Sequence, residues 1–294
     1  MIAFVVNHTA RAGKAQLAVP IIERMARERG VDFRLIYAAT PGDLAAEIDI
    51  GSLSAIVCVG GDGTAQKYVA HAVRREINFG IIPAGSGNDF LRSVPGAVQS
   101  FGTFADKIAH YTAKIFEGNT MPADVVAVND ADYFLNIGGT GIDIQVLKDA
   151  KPLKKALGGA AYLVSLMKNV ATYRTQELAL TVDGQREAGE FLLLAVANGA
   201  YYGGNLHIAP GALINDGLLT LVKVRKMPRL KMMAMFPLVK PGRHVGMREV
   251  SLHTCKEVAL EYTGSRTINL DGNLQEYASS VTFKVVPGAV RLIV

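Results

Sequence analysis

Hydrophobic positions along the chain follow two textures, and the change comes near Pro122. Before it, short apolar runs alternate with amphipathic stretches. Ile2–Val6, Val31–Tyr37, Ala55–Val59 and Phe79–Pro83 read as strands. Ala55–Val59 (Ala-Ile-Val-Cys-Val) is apolar throughout and rich in β-branched residues, the pattern of a strand buried on both faces of a parallel sheet. The spacing between the first two runs predicts a helix over Ala15–Arg29. Thr40-Pro41-Gly42-Asp43 places an N-cap before a first-turn proline and predicts a helix to about Ile48. Such alternation predicts right-handed crossovers and a crevice at the carboxyl ends of the strands. After Pro122 the runs Asp124–Val128, Tyr133–Ile137, Leu178–Val182, Phe191–Ala197, Gly217–Val224, Glu257–Glu261 and Val281–Val286 are separated by turn signals. Two helical stretches, Leu157–Arg174 and Arg229–Val239, interrupt them. The expectation is an α/β domain with a parallel sheet over residues 1–122, joined to a β-rich, sandwich-like domain over residues 123–286. Residues 287–294 are too apolar for a free tail and are expected to return to the first domain.

Composition narrows the setting. At 294 residues and 50% hydrophobic the chain can bury two cores. The opening Met-Ile-Ala-Phe-Val-Val has no basic segment before it and is not the pattern of a signal peptide. Apolar stretches such as Phe191–Ala197 are too short to cross a bilayer. Cys58 and Cys255 lack metal-ligand spacing and fit a reducing cytoplasm. A net charge of +5 points to an anionic partner, either nucleotide, nucleic acid or membrane. With 7% aromatics and no nucleic-acid-binding signature, nucleic acid ranks last.

The densest chemistry lies at Gly60-Gly61-Asp62-Gly63-Thr64, directly after the buried strand. Three glycines permit positive φ and a close backbone approach to a ligand. Thr64 is placed to cap a helix over about Ala65–Val73, whose N–H groups would attract phosphate. Asp62 is the exception, since a carboxylate beside phosphate implies a cation such as Mg²⁺ or a proton transfer. A tight Gly-Asp-Gly turn without ligand is the plainer alternative. The next strand ends in a second glycine-rich loop, Gly85-Ser86-Gly87-Asn88-Asp89, so both loops should meet at one sheet edge.

These residues, in order with Asn7, Thr40, Asp124, Asn198-Gly199, Tyr202-Gly203-Gly204, Pro210, Asp216-Gly217 and Asp271-Gly272, resemble the bacterial soluble lipid kinases, relatives of the diacylglycerol and sphingosine kinase catalytic domain. The glycine loop alone is shared with NAD kinases and is similar to that of phosphofructokinases. The resemblance covers nearly the whole chain. It implies an amino-terminal domain that binds ATP and a carboxyl-terminal domain that covers the cleft and admits lipid. It implies that Asn7, Thr40, Gly60 to Thr64, Gly85, Ser86 and Asn88 hold ATP, with Asp62 and Asp124 lining the phosphate or metal region. It further implies a structural Mg²⁺ held by Asp216 and the carbonyls of Leu213 and Leu218, for which an ordinary Asn-Asp-Gly hairpin is the alternative. Asp124 has its own alternative, a turn carboxylate before a strand.

The chain departs from the family pattern in several places. Asp271-Gly272-Asn273 replaces Asp-Gly-Glu, whose glutamate is the proposed base for the lipid hydroxyl, and an amide cannot take that proton at neutral pH. Asp271, Asp62 or Glu276 then remains as base, with Asn273 orienting the hydroxyl or phosphate. Gln66-Lys67 replaces Asn-Glu, His8 a proline and Asn205 a third glycine. The resemblance thus implies an ATP- and Mg²⁺-dependent kinase acting on a diacylglycerol-like lipid. The rivals are an NAD kinase and a non-catalytic nucleotide- or lipid-binding relative. Lys223, Arg225, Lys226, Arg229, Lys231, Lys240, Arg243 and Arg248 lie among Met232, Met233, Met235 and Phe236, with no acidic residue from 217 to 248. This stretch fits either peripheral docking on an anionic membrane or a packed helix with solvated charges. The helix around Leu163, Leu166 and Met167 reads as packing. A cytoplasmic, peripherally membrane-associated protein is expected, and a homodimer stays open.

Overall fold

The structure is a computed structural model that describes residues 1–7, 10–37, 53–85, 87–97, 100–157 and 160–294. Four parallel strands open the chain: β1 (Ile2–Val6), β2 (Phe33–Ile36), β3 (Ala55–Gly60) and β4 (Asn78–Pro83), in the order β4-β3-β1-β2. All six residues of β3 are buried, as its apolar sequence requires. A 3-10 segment, Ala10–Ala18, precedes α1 (Val19–Arg29). The predicted helix over Ala15–Arg29 is therefore α-helical only from Val19. Pro20 sits in the first turn, where its missing N–H has no intrahelical partner to lose. The helix expected from Thr40 to Ile48 lies outside the described residues.

After β3 comes α2 (Asp62–Arg75), with Gly61 at its N-cap. Thr64 does not cap this helix. It lies inside the first turn, and its hydroxyl accepts from Asn7 Nδ2 at 2.9 Å. A short 3-10 turn, Phe90–Ser93, leads to α3 (Phe104–Glu117), which is opened by a Thr103/Asp106 capping box and closed by Gly118 in the left-handed region.

The second half supplies β5 (Thr120–Val128), β6 (Asp132–Phe134), β7 (Ile137–Gly141), α4 (Ile142–Leu157), α5 (Ala160–Thr172), β8 (Gln176–Val182) and β9 (Gln185–Ala197). A two-stranded hairpin follows, β10 (Tyr201–Tyr202) with β11 (Leu206–His207), then β12 (Leu219–Arg225), α6 (Arg229–Val239), β13 (Val250–Cys255), β14 (Glu257–Leu270) and β15 (Asn273–Ile293). The run Tyr133–Ile137 is two strands rather than one. α4 was not expected, because Pro152 lies inside it and its first turn is β-branched.

Thirteen described strands form one hydrogen-bonded sheet. The join is β15. It pairs antiparallel with β14 and β5, and its end runs parallel beside β4, with Leu292 opposite Phe79. One apolar core lies between strands of the carboxyl-terminal half and includes Phe134, Phe191, Phe283 and Leu260. Another packs β7, β9 and β12 against the helices through Val146, Leu166, Val170 and Met232. Leu292 is fully buried in the core of the parallel sheet. Leu292→Ala is expected to destabilise the protein by about 2 to 5 kcal/mol in reversible chemical denaturation, the usual range for a buried leucine truncation.

Candidate functional site

β3 and β4 are neighbours, so their two following loops are neighbours too. Gly60 O accepts from the N–H groups of Ala84 and Gly85, both at 2.9 Å. A Cβ built on Gly85 would lie 2.3 Å from Gly61 Cα, so no side chain fits there. Asn88, at φ 55°, closes the second loop: its Oδ1 accepts from Gly85 N at 3.1 Å and its Nδ2 donates to Gly85 O at 3.0 Å. Asp62 then ties the loops together, accepting from Asp89 N at 2.8 Å and Phe90 N at 3.1 Å.

Three acids surround this junction, Asp89 buried and Asp62 and Asp271 half-buried. Burial pushes the Asp62 carboxyl up to about 6, with the Asp89 charge adding and the two amides opposing. Asp89 accepts from Gly204 N at 2.7 Å and Asn205 N at 2.8 Å, at the tip between β10 and β11. Asn205 replaces a glycine without loss because it uses only its backbone N–H and sits at φ 77°, a region asparagine tolerates. Asp271, in the turn between β14 and β15, takes the N–H groups of Leu135 (2.8 Å), Asn136 (3.1 Å) and Ile137 (2.8 Å). Burial raises its carboxyl to about 7, the amides oppose, and the Asp62 charge adds.

Asn273 does not aim its amide at a substrate. Its Nδ2 donates to Gly63 O at 2.9 Å and to Gln66 Oε1 at 2.7 Å, which uses both hydrogens inside the protein. Gln66 Nε2 in turn donates to Tyr133 O at 3.0 Å. The two departures from the family pattern therefore touch each other. A Cβ on Gly63 would lie at ordinary contact distance from Asn273 and from Asp271 O, so the first turn of α2 rests on the β14–β15 turn.

Asn7, Gly60, Gly61, Asp62, Gly63, Thr64, Gly85, Asn88, Asp271 and Asn273 thus come together at one end of the sheet. Thr40 and Ser86 lie outside the described residues. Asp124 belongs to a second cluster, with each carboxylate oxygen taking an amide at 2.7 Å, from Gly217 and from Gly288. Its own N–H donates to Ile214 O at 2.6 Å, which sets it against the Leu213–Leu218 loop. Asp216 is exposed, and its Oδ1 accepts from Leu218 N at 3.0 Å. A carboxylate with main-chain carbonyls is an all-oxygen set, which fits Mg²⁺ completed by water. Asn198 links the clusters, donating to Asp124 O at 3.0 Å and Leu135 O at 2.7 Å.

A narrow apolar cavity opens beneath α4, α5 and α6, lined by Val146, Leu166, Val170, Met232, Phe236 and Val239 among others. Asp143 and His244 are among its lining residues. Asp143 Oδ1 and His244 Nδ1 are buried with no hydrogen-bond partner among the described residues. Asp143 Oδ2 accepts from Asn269 Nδ2 at 3.0 Å, and Asn269 Oδ1 accepts from Gly272 N at 2.8 Å. The path ends beside Asp271 and Asn273. Sequence reasoning missed Asp143, and its only signal was an acid two residues after the last glycine of Gly138-Gly139-Thr140-Gly141.

The basic stretch is less free than its sequence implied. Lys223 is buried against Glu187, while Lys226 pairs with Glu190 at 2.8 Å and Lys231 with Glu249 at 2.6 Å. Arg229, Lys240, Arg243 and Arg248 are exposed, as are Leu230 and Met233 of α6 and Val164 and Met167 of α5. Met167 therefore departs from the expectation that this helix only packs.

Comparisons with known proteins bear on the family and the fold. A family profile described as the diacylglycerol kinase catalytic domain matches residues 1–128. A second, described as the YegS C-terminal NAD kinase beta sandwich-like domain, matches residues 137–294. A diacylglycerol kinase of Mycobacterium tuberculosis (strain H37Rv) is 30% identical over 278 residues, covering 91% of this chain and 86% of that one. A "Probable lipid kinase YegS-like" of Klebsiella pneumoniae (strain 342) is 31% identical over 66% of this chain, and the match spans 65% of that relative's length. The crystal structure of a diacylglycerol kinase from Bacillus anthracis str. Sterne has the same fold, with a TM-score of 0.78 at 23% identity over 99% of this chain and 96% of that one.

Asp143 yields a pH prediction. Burial raises its carboxyl from 3.8 to about 6, so the folded protein holds this proton to higher pH than the unfolded chain does. That contribution to stability is present at low pH and lost as pH rises through about 6. Buried His244 acts in the opposite sense, and its effect cancels when two proteins are compared. Relative to wild type, Asp143→Asn is expected to gain about 1.4 kcal/mol between pH 5 and 8, one pKa unit's worth, in urea denaturation at both values.

Proposed function

We propose that this chain, which belongs to the diacylglycerol kinase family of lipid kinases, transfers the γ-phosphoryl group of ATP to a hydroxyl of a diacylglycerol-like lipid. One observation carries the reading. An apolar cavity with a buried carboxyl in its lining connects, through Asn269, to the turn that packs on the glycine loop. A substrate with a hydroxyl head and apolar tails matches that pairing of surfaces.

In this reading the Gly60 to Thr64 loop and the first turn of α2 present N–H groups to the phosphates, with Asn7 fixing Thr64 and Asn88 fixing Gly85. Bound Mg²⁺ would neutralise charge on the phosphoryl oxygens. Asp216 with the Leu213 and Leu218 carbonyls forms the candidate structural cation site. Asp62 is the base. Its oxygens accept the main-chain amides of Asp89 and Phe90, and a carboxyl near 6 is matched to proton abstraction at neutral pH. Asp271 takes three consecutive amides, those of Leu135, Asn136 and Ile137. Its role is to hold the turn.

The exposed apolar residues of α5 and α6 cover the outer side of the two helices whose inner side lines the cavity. Arg229 opens α6, Lys240 follows its last residue, and Arg243 and Arg248 come next in the chain, all four exposed. A membrane carrying anionic lipid fits this face, and acyl chains would then enter between the helices.

Two measurements test the reading. Purified protein with ATP and Mg²⁺, offered diacylglycerol, other hydroxyl lipids and NAD in parallel, is expected to yield a phosphorylated lipid by mass spectrometry and no phosphorylated NAD. Asp62→Asn should reduce turnover by about 10²- to 10⁴-fold, the usual contribution of a positioned base, while calorimetry still detects ATP. Product from NAD alone would replace the lipid reading. Separately, binding to vesicles containing anionic lipid should weaken as salt rises, since exposed charges are screened beyond about 10 Å at 0.1 M. Replacing Arg229, Lys240 and Arg243 by glutamine should weaken it further at unchanged ATP affinity. Co-sedimentation insensitive to both changes would assign this face to solvent.

A further inference from the structure

The contacts of Asn273 form a chain of fixed polarity. At one end stands the carbonyl of Gly63, in the first turn of α2; at the other stands the carbonyl of Tyr133, in β6. Both ends can only accept. Asn273 must therefore turn its NH₂ group toward Gly63, and the second hydrogen of that group goes to Gln66 Oε1. Gln66, with its oxygen thus engaged, has its own NH₂ left for Tyr133. Turning over either amide would set oxygen against oxygen. Gln66 is buried, so an acceptor left unpaired there is not rescued by water.

We propose that Asn273 and Gln66 are an amide interlock, and that Asn273 is a positioning residue rather than a base. It clamps the helix that follows the glycine loop to the Asp271–Gly272 turn and, through Gln66, to β6. The clamp needs a donor at position 273. A carboxylate there would face Gly63 O and Gln66 Oε1, both acceptors, and would stand beside Asp271 and Asp62, both acids. Its role in phosphoryl transfer rests on the lipid-kinase reading above. The interlock itself does not.

Four variants test it: Asn273→Ala, Gln66→Ala, the double alanine and Asn273→Asp. Thermal unfolding of the first three closes a cycle that needs no activity. The interlock predicts that the double variant loses clearly less than the sum of the singles, because either single change breaks the shared bond. Additive losses would overturn it, whatever the enzyme phosphorylates. Turnover of dioctanoylglycerol in detergent micelles with ATP then tests positioning. Asn273→Asp should be at least 10-fold slower than wild type at pH 8. Its activity relative to wild type should rise as pH falls toward 6, because a protonated carboxyl regains one donor to Gln66. A base at this position would give the reverse, with Asn273→Asp faster than wild type and its advantage growing with pH. If wild type phosphorylates no lipid, the functional reading falls, and the unfolding cycle still decides the interlock.

Discussion

The site depends on one close approach. Two glycine loops leave adjacent parallel strands and pass so near each other that a methyl group on Gly85 would overlap the backbone of Gly61. Two backbones held this tightly need a third group to satisfy the amides they bury, and Asp62 does this by accepting from Asp89 and Phe90. The acid that sequence logic marks as out of place beside phosphate is thus also the staple between the two loops of the candidate site. Burial raises its pKa, the Asp89 charge adds to the rise, and that same shift suits it to proton transfer.

Coupling between the two halves follows from a few long-range contacts. Asp89 in the first half holds the tip of the β10–β11 hairpin, and Asp271 in the second holds the consecutive amides of Leu135, Asn136 and Ile137. β15 begins at the Asp271 turn and ends beside β4, so one strand spans from the candidate site to the core of the parallel sheet. A shift of the cavity helices relative to the sheet would reach the glycine loop through Asn269 and Gly272.

Much of this was legible because local signals and packing agreed. The uninterrupted apolar run Ala55–Val59 marks a buried strand, and the glycines after it mark the junction with the next helix, which is tighter than the loop expected: Gly60 ends the strand, Gly61 is the N-cap and Gly63 lies in the first helical turn. Most second-half strands were found by their turns, but β10, β11 and β13 were not, and β14 and β15 run far past the segments expected. What stayed hidden depends on partners distant in the chain. Thr64 reads as a cap until Asn7 is seen to claim its hydroxyl. Lys223 reads as a surface cation until Glu187, 36 residues away, is found beside it. Asn273 reads as a lost base because Gln66, its partner, lies 207 residues earlier. Nor does periodicity reveal α4, whose proline argues against a helix that tertiary packing nevertheless stabilises.

The central claim is that the contact between Gly61 and Gly85 shapes a nucleotide site. Gly85→Ala adds one methyl group at the point of closest approach and removes no polar group. Calorimetric titration of ATP with Mg²⁺ into wild type and Gly85→Ala, each shown folded by circular dichroism, tests the claim directly. The account predicts clear binding to wild type and at least a 10-fold loss in the variant. Equal affinity in the two folded proteins would contradict it.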